Sequence, residues 1–394
     1  MIEDARLLDA SGKPIEKEIA TIERDVNRLF FGNVLTNDDE TLLTRGQGRG
    51  LKIYDELRRD AQAGAVLNKR EFAVIARPWD VTAASHDTND IAAAELVRLN
   101  LKTLQFDRIS RELLDATLKG FAVGEIMWGL RDNLIVALDV IARNQRRFSF
   151  DLQRRLRLIT RERPVEGEAL PERKFIVHSV GAKEGSPYGK GIGSGLFWPV
   201  LFKRKDISFW LIFADKFGSP TSIGRYPVGT GLLEQEKLLH ALRAIAQDAG
   251  VIVPVGTEIE LLEASRASSI DTYEKLARYM DEQISVAVLG ETMTTGAQAG
   301  GVGGGQANVH NEVRKEIAQA DADLLSETLN NTLVKWIVEY NLPEAAPPKV
   351  WRRFEEQIDL NARAERDVRL YGLGYKPNQE YIDETYGPGW KPRA

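Results

Sequence analysis

Cysteine is absent from the 394 residues, which excludes disulfide staples, thiol nucleophiles, iron–sulfur clusters and Cys-ligated zinc. Its absence fits a reducing cytoplasm. Histidine is scarce: His86, His178, His240 and His310 stand on separate segments without HExxH or comparable spacing, so no metal site is expected. An excess of positive charge is also missing. The formal net charge of −5 argues against a broad basic face that grips nucleic acid by neutralising phosphates. Long apolar runs are missing as well. The most apolar stretch, LFWPVLFKRKDISFWLIFADKF (196–217), is broken by Lys203, Arg204, Lys205 and Asp206, and nothing approaches the ~20 residues that a bilayer requires. The first residues, MIEDARLLDASGKPIEKEIA, have no basic region followed by an apolar one, so no secretory signal is expected.

Catalytic signatures are equally thin. There is no G-x-S-x-G elbow, and no pair of the many carboxylates is singled out as an acid and base. Two glycine-rich stretches invite a nucleotide-binding reading, and both miss the spacing. Gly185–Gly191 reads GSPYGKG, one residue short of a P-loop and with glycine where a hydroxyl should reach magnesium; residues 296–305 contain no lysine. Neither is G-x-G-x-x-G. An enzyme is therefore not the expectation, and no cofactor is implied.

What is present is ordinary globular composition, 43% hydrophobic and 28% charged, on a chain long enough for two or three domains. The pattern reads as α+β. EFAVIARPW (71–79) reads as a strand ended by Pro78, and residues 89–120 as a helical hairpin capped at Asn89 or Asp90 and stopped at Gly120. FAVGEIMW, NLIVALDVIA, RRFSFD, LRLIT and KFIVHSV, within 121–179, read as a mainly antiparallel sheet. The glycines of 181–195 mark a flexible domain boundary.

Residues 194–218 then form one long aromatic helix, with Ser194 as cap and Pro199 near the first turn. A small βαββ-like module follows: a strand after Gly218, a helix over 232–247 and a strand pair over 249–264. A second long helix runs from Ser268 to Leu289. Ile270, Tyr273, Leu276, Ala277, Met280, Ile284, Ala287 and Val288 share its apolar face, and Asp271, Glu274, Arg278, Asp281, Glu282 and Ser285 an acid-leaning solvated one. After the glycine loop a third helix starts near Asn311. The last ~50 residues hold a strand (349–355), a helix (359–372) and a Tyr-rich helical turn.

The P-Y-G-K-G turn, the Trp-bearing helix with its central basic cluster and the closing F-G-S-P-T-S-I-G-R-Y resemble the stem region of tailed-phage portal proteins, and more narrowly of the Mu-like portal family. The likeness extends through AGVIVPVGTEIELLEA, DTYEKLARYMDEQISVAVLGETMTTG and NEVRKEIAQADADLLSETLN, about 200 residues in all. It implies a portal fold: an α/β wing (1–190, with 345–394 returning to it), two stem helices (191–218 and 266–290), a small α/β clip (219–265), a tunnel loop (291–309) and a long helix (310–344) towards wing or crown.

The implied function is a ring, a dodecamer by family, at one capsid vertex of a virion assembled in the host cytoplasm. Double-stranded DNA passes through it, and it meets the terminase large subunit, a head-completion or adaptor protein, and the major capsid protein and scaffold; no membrane is involved. Thr292, Thr294, Thr295, Gln298, Gln306 and Asn308 would be uncharged DNA-facing loop residues. Glu274, Arg278, Asp281 and Glu282 would line the stem channel. Lys203, Arg204 and Lys205 would face either DNA or acids of a neighbouring subunit. Trp198, Phe202, Trp210 and Phe213 would contact neighbours, being too bulky for a slender two-helix stem to bury. Family members usually continue past GPGWKPRA, and the sequence leaves open whether a crown-like C-terminal region is reduced, absent or outside this chain. Two other readings are a nucleotide-binding enzyme using the glycine loops and a ring-forming tail or baseplate protein.

Overall fold

The computed structural model describes residues 30–31, 33–45, 50–182, 185–217, 221–245, 258–262, 267–291, 304–354, 360–387 and 390. The chain divides into two compact units, Met1–Arg352 and Arg353–Ala394. Helices and largely antiparallel sheets are mixed, the α+β class expected.

The first unit opens with a hairpin of β1 (Phe30–Phe31) and β2 (Val34–Leu35), followed by α1 (Glu40–Arg45), α2 (Lys52–Leu57) and α3 (Ala61–Ile75). Asp60 starts α3: its carboxylate accepts from the amides of Gln62 and Ala63, at 3.1 and 3.0 Å. Val66, Leu67 and Val74 then bury one face at helical spacing. The expected strand over 71–79 is thus mostly the end of this helix. Its β-branched and aromatic residues are carried by an already capped helix, and β3 (Trp79–Thr82) begins only after Pro78.

Next come α4 (Thr88–Thr103), capped by Asp87 rather than by Asn89 or Asp90, then α5 (Phe106–Leu113) and α6 (Ala116–Lys119), which Gly120 ends at φ +96°. The expected hairpin is three helices. The strand runs of 121–179 all form: β4 (Phe121–Arg131), β5 (Leu134–Arg143), β6 (Phe148–Asp151), β7 (Leu156–Leu158) and β9 (Phe175–Ser179), with a short β8 (Glu168–Ala169) between. They divide between an antiparallel sheet ordered β5-β4-β9 and a second ordered β1-β2-β6-β7-β8. Phe121, Phe150 and Tyr188 stack edge to face, with centroids 4.9–5.6 Å apart, at the centre of the main core.

The glycines of 181–195 are not a loose boundary. A Cβ on Gly189 would lie 2.3 Å from the Gly120 carbonyl oxygen, and one on Gly191 2.2 Å from that of Leu118. The Ile192 amide donates to Thr117 O at 2.9 Å, so backbone lies directly on backbone and only glycine fits. This seats the first turn of α7 (Gly193–Phe217) in the core, where Leu196 and Val200 are buried. Ser194 lies inside α7 rather than capping it, and Pro199 is its seventh residue, in the second turn.

β10 (Thr221–Arg225), α8 (Leu232–Ile245) and β11 (Glu258–Leu262) form the small module, with the two strands antiparallel from Thr221↔Leu262 to Arg225↔Glu258. The first strand expected in 249–264 lies largely outside the described residues. α9 (Ala267–Leu289) returns to the core through Ile284, Val288 and Leu289. α10 (Gly304–Leu329) starts seven residues before the expected Asn311 and passes through a π-helical turn (Asn330–Val334) into α11 (Lys335–Asn341). β12 (Lys349–Arg352) closes the unit by pairing antiparallel with β3. The second unit holds α12 (Leu360–Gly372) and α13 (Gln379–Tyr386), where the Tyr381 and Tyr386 hydroxyls both donate to Asp367 Oδ2 at 2.8 Å. These two hydrogen bonds hold the Asp367 carboxyl below its ordinary pKa.

Candidate functional site

The sequence-predicted site residues fall mostly on the paired helices α7 and α9. Along α7 the positions turned away from water are Leu196, Val200, Lys203 and Asp206, with Trp210 and Phe213 half-buried. Their spacing of three and four residues draws one seam on the helix. Phe213 meets Tyr273 of α9 with ring centroids 5.7 Å apart. Trp210 and Phe213, expected as contacts to another subunit, therefore lie on the inner seam of this pair.

Two charged residues occupy the middle of that seam. Lys203, 8% exposed, places Nζ 3.0 Å from Asp60 Oδ2 and 2.6 Å from Asp281 Oδ1. It binds acids of its own chain, not DNA or a neighbour, because its place on the seam turns it towards α9 and the start of α3. Arg204 donates to the Glu56 carbonyl and is exposed, as is Lys205, so two members of the basic cluster face water while Lys203 does not. Asp206 is 5% exposed, and its Oδ2 has no hydrogen-bond partner among the described residues. Burial raises its carboxyl above the ordinary value.

A second seam on α7 is apolar and open. Trp198, Phe202, Phe209 and Ile212 are 40%, 47%, 59% and 61% exposed. On α9, Leu276, Tyr279 and Val286 are likewise exposed at spacings of three and seven. The predicted apolar face of α9 is correct where it enters the core and wrong at Leu276 and Ala287, which face water.

The four residues assigned to one channel face divide. Glu274 pairs with Arg278 at 2.6 Å, both on the surface, Glu282 is exposed, and Asp281 is engaged by Lys203. Ser285, expected on the solvated face, is buried and accepts from Gln62 Nε2 at 2.7 Å. The acid-leaning stripe is thus shorter than expected, because α3 covers its C-terminal end. Thr292, Thr294, Thr295 and Gln298 lie outside the described residues. Gln306 and Asn308, assigned to the loop, stand in the first turns of α10.

Sequence reasoning missed the part played by α3. Besides Asp60 and Gln62, it supplies Arg70, whose Nε and Nη2 donate to the two carboxylate oxygens of Asp321 on α10, at 2.7 and 2.9 Å. Arg70 Nη1 donates to the Val288 carbonyl in the last turn of α9, at 2.8 Å. The only advance signal was Asp60, a capping residue before an amphipathic run.

Among the described residues no three His, Asp or Glu side chains cluster as a metal site, and no helix is long and apolar enough to cross a membrane. His178 is a core residue, with Nδ1 2.9 Å from Thr328 Oγ1 and a pKa pushed down to about 4 by burial.

Residues 51–388 match the family described as "Portal protein of Mu bacteriophage". The chain is 30% identical over 339 residues to the Mu-like prophage FluMu protein gp29 of Haemophilus influenzae, covering 84% of this chain and 65% of that protein. It is 26% identical over 353 residues to the portal protein of Escherichia phage Mu, covering 85% and 68%. The chain thus spans about two thirds of the length of these relatives. Among solved structures, a chain from the virion of a native gene transfer agent particle superposes with a TM-score of 0.59 at 12% identity, covering 85% of this chain and 93% of that one. A chain from the neck of the native particle, computed with C12 symmetry, gives 0.58 at 12%, covering 85% and 93%. At that identity the likeness is one of fold.

Proposed function

This chain belongs to the portal-protein family of bacteriophage Mu, and from that membership we propose that it is the subunit of a non-enzymatic ring at one capsid vertex of a virion, passing double-stranded DNA inward during packaging and outward at ejection. α7 and α9 are the stem, β10, α8 and β11 the clip, and residues 1–190 the body of the wing. The observation that carries the reading is the open apolar seam on each stem helix. One copy offers Trp198, Phe202, Phe209 and Ile212, and it also offers Leu276, Tyr279 and Val286 on its other stem helix. Two different apolar faces on one subunit suit head-to-tail contacts, which close into a ring when the rotation per copy is right.

Twelve copies are supported by the C12 symmetry of the related neck. The clip is the surface for the terminase large subunit and a head-completion or adaptor protein, and the wing for major capsid protein and scaffold. The segment joining α9 to α10 is the tunnel loop, with Thr292, Thr294, Thr295 and Gln298 contacting passing DNA without charge, and Gln306 and Asn308 adjoin it in the first turns of α10. Glu274 and Glu282 face the channel and repel phosphate. The subunits are made and assembled in the host cytoplasm.

Negative-stain imaging down the ring axis with native mass measurement tests the proposal. Rings with an open channel of about 20 Å or more, the order of a duplex width judged from its grooves, support it. A monomer or dimer at high concentration, or a ring with a closed centre, overturns it.

A further inference from the structure

α9 and α10 flank residues 290–303, and both are tied to Arg70 of α3. Arg70 holds Asp321 of α10 through two parallel hydrogen bonds and the Val288 carbonyl of α9 through a third. The pair is shielded, with side-chain exposures of 16% for Arg70 and 6% for Asp321. Lys69 lies in the field of Glu291, just beyond α9, and of Arg314 on α10; burial first and Arg314 second lower its pKa, while Glu291 opposes them. Glu291 itself is 3% exposed. Gln62, two turns earlier on α3, adds the bond to Ser285.

A planar guanidinium is suited to this arrangement. Its rigid fork meets a carboxylate bidentately and still leaves a donor for a carbonyl on a second element, which an ammonium cannot do with the same geometry. Any relative movement of the end of α9 and the middle of α10 must break one side of the Arg70 contact.

We propose that Arg70 is a positioning residue that latches α9 to α10, fixing the separation of the two helices between which residues 290–303 run. Resting on the portal reading, the latch also sets how the tunnel segment meets DNA. Release of the latch changes DNA passage and retention without dissolving the ring.

The cysteine-free sequence makes the test direct. Cysteines placed at exposed Ala287 on α9 and Gln319 on α10 carry spin labels, and their distance distribution is measured by pulsed resonance in the purified full chain. Arg70→Gln should broaden the distribution or split it in two, Asp321→Asn should broaden it less because the Val288 contact survives, and Arg70→Lys should restore it in part. Ring assembly should change little in any of them; the single variants strand a buried partner and should melt earlier, whereas Arg70→Gln combined with Asp321→Asn strands no charge and should melt close to the native chain while keeping the broadened distribution. An unchanged distribution in Arg70→Gln overturns the latch, and so does a broadening seen only where the protein melts early or fails to assemble.

Particles built with Arg70→Gln should retain less DNA by a factor on the order of ten, within the usual range for loss of one coupling contact. Normal retention despite a broadened distribution would overturn the functional half of the proposal. The distance measurement needs no DNA, so its outcome is independent of whether the portal reading holds.

Discussion

Replacing Lys203 by methionine keeps the length of the buried stem and removes its charge. In the native chain Nζ sits 3.0 Å from Asp60 and 2.6 Å from Asp281, with the lysine side chain 10% exposed. The variant leaves two carboxylates facing each other across the space the ammonium occupied. Removing one partner of a buried ion pair costs about 3–5 kcal/mol. Two features reduce that here. Asp60 keeps its hydrogen bonds from the Gln62 and Ala63 amides, and the Asp281 side chain is 36% exposed, so water recovers part of its solvation. The expected loss is therefore about 2–3 kcal/mol.

Urea unfolding at one fixed protein concentration, with ring formation monitored, would read it. Adding Asp281→Asn to the methionine variant removes the stranded charge and should recover at least half of the loss. Burial lowers the pKa of Lys203, but the hydrogen bonds and charges of Asp281 and Asp60 outweigh it and hold it above the ordinary 10.5. Its stabilisation is thus fully present below that value and is lost as pH rises through the raised one, so the difference between variant and native chain should be flat from about pH 6 to 9. A loss under about 0.5 kcal/mol, or a double variant less stable than the single one, would refute the reasoning.

Asp206→Asn should stabilise the chain at pH 7. A carboxyl whose folded pKa lies above 3.8 destabilises the fold once pH has risen past that point, so the gain should fade as pH falls towards about 4; a thermal melt series that shows the opposite trend sinks it. Gly191→Ala would put a Cβ 2.2 Å from Leu118 O and 2.5 Å from Gly120 N. Backbone atoms cannot rotate aside, and a destabilisation of about 3 kcal/mol is expected, whereas a neutral result would show that the segment can yield. Trp198→Ser with Phe209→Ser should leave circular dichroism unchanged while shifting native mass from ring to monomer; intact rings would move the subunit contact elsewhere.

The short strands of 121–179 and the long helices were legible because their signals are local: alternation or helical spacing, bounded by turn residues. The errors share a cause. Residues 71–75 have strand composition, yet they extend a helix nucleated upstream at Asp60, and a window read alone cannot see that cap. Glycine is ambiguous in a similar way. At 189 and 191 it permits backbone contact with 118–120, a pairing some 70 residues distant, and nothing in the stretch itself separates that role from flexibility. The two helices α7 and α9 were legible, but which way their residues face was not. Lys203 and Asp281 belong to one ion triad because α3 packs beside both, and α3 was invisible as a partner from spacing on α7 or α9.

The α7–α9 pair has an inverted distribution of polarity, and that inversion bears on what it is for. Its inner seam holds Lys203 and Asp206, while Trp198, Phe202, Phe209 and Ile212 face out. For an isolated hairpin this is unfavourable on both sides: ions are taken from water, and large apolar groups are left in it. The arrangement becomes sensible if the outer seam is covered by another copy. The buried ions then act chiefly on specificity, since a slide of α7 along α9 would strand Lys203 away from both carboxylates, whereas an all-apolar seam would tolerate several registers. A fixed register inside each hairpin places the outer aromatics at a fixed height. Identical subunits must present those aromatics at the same height if a ring is to close.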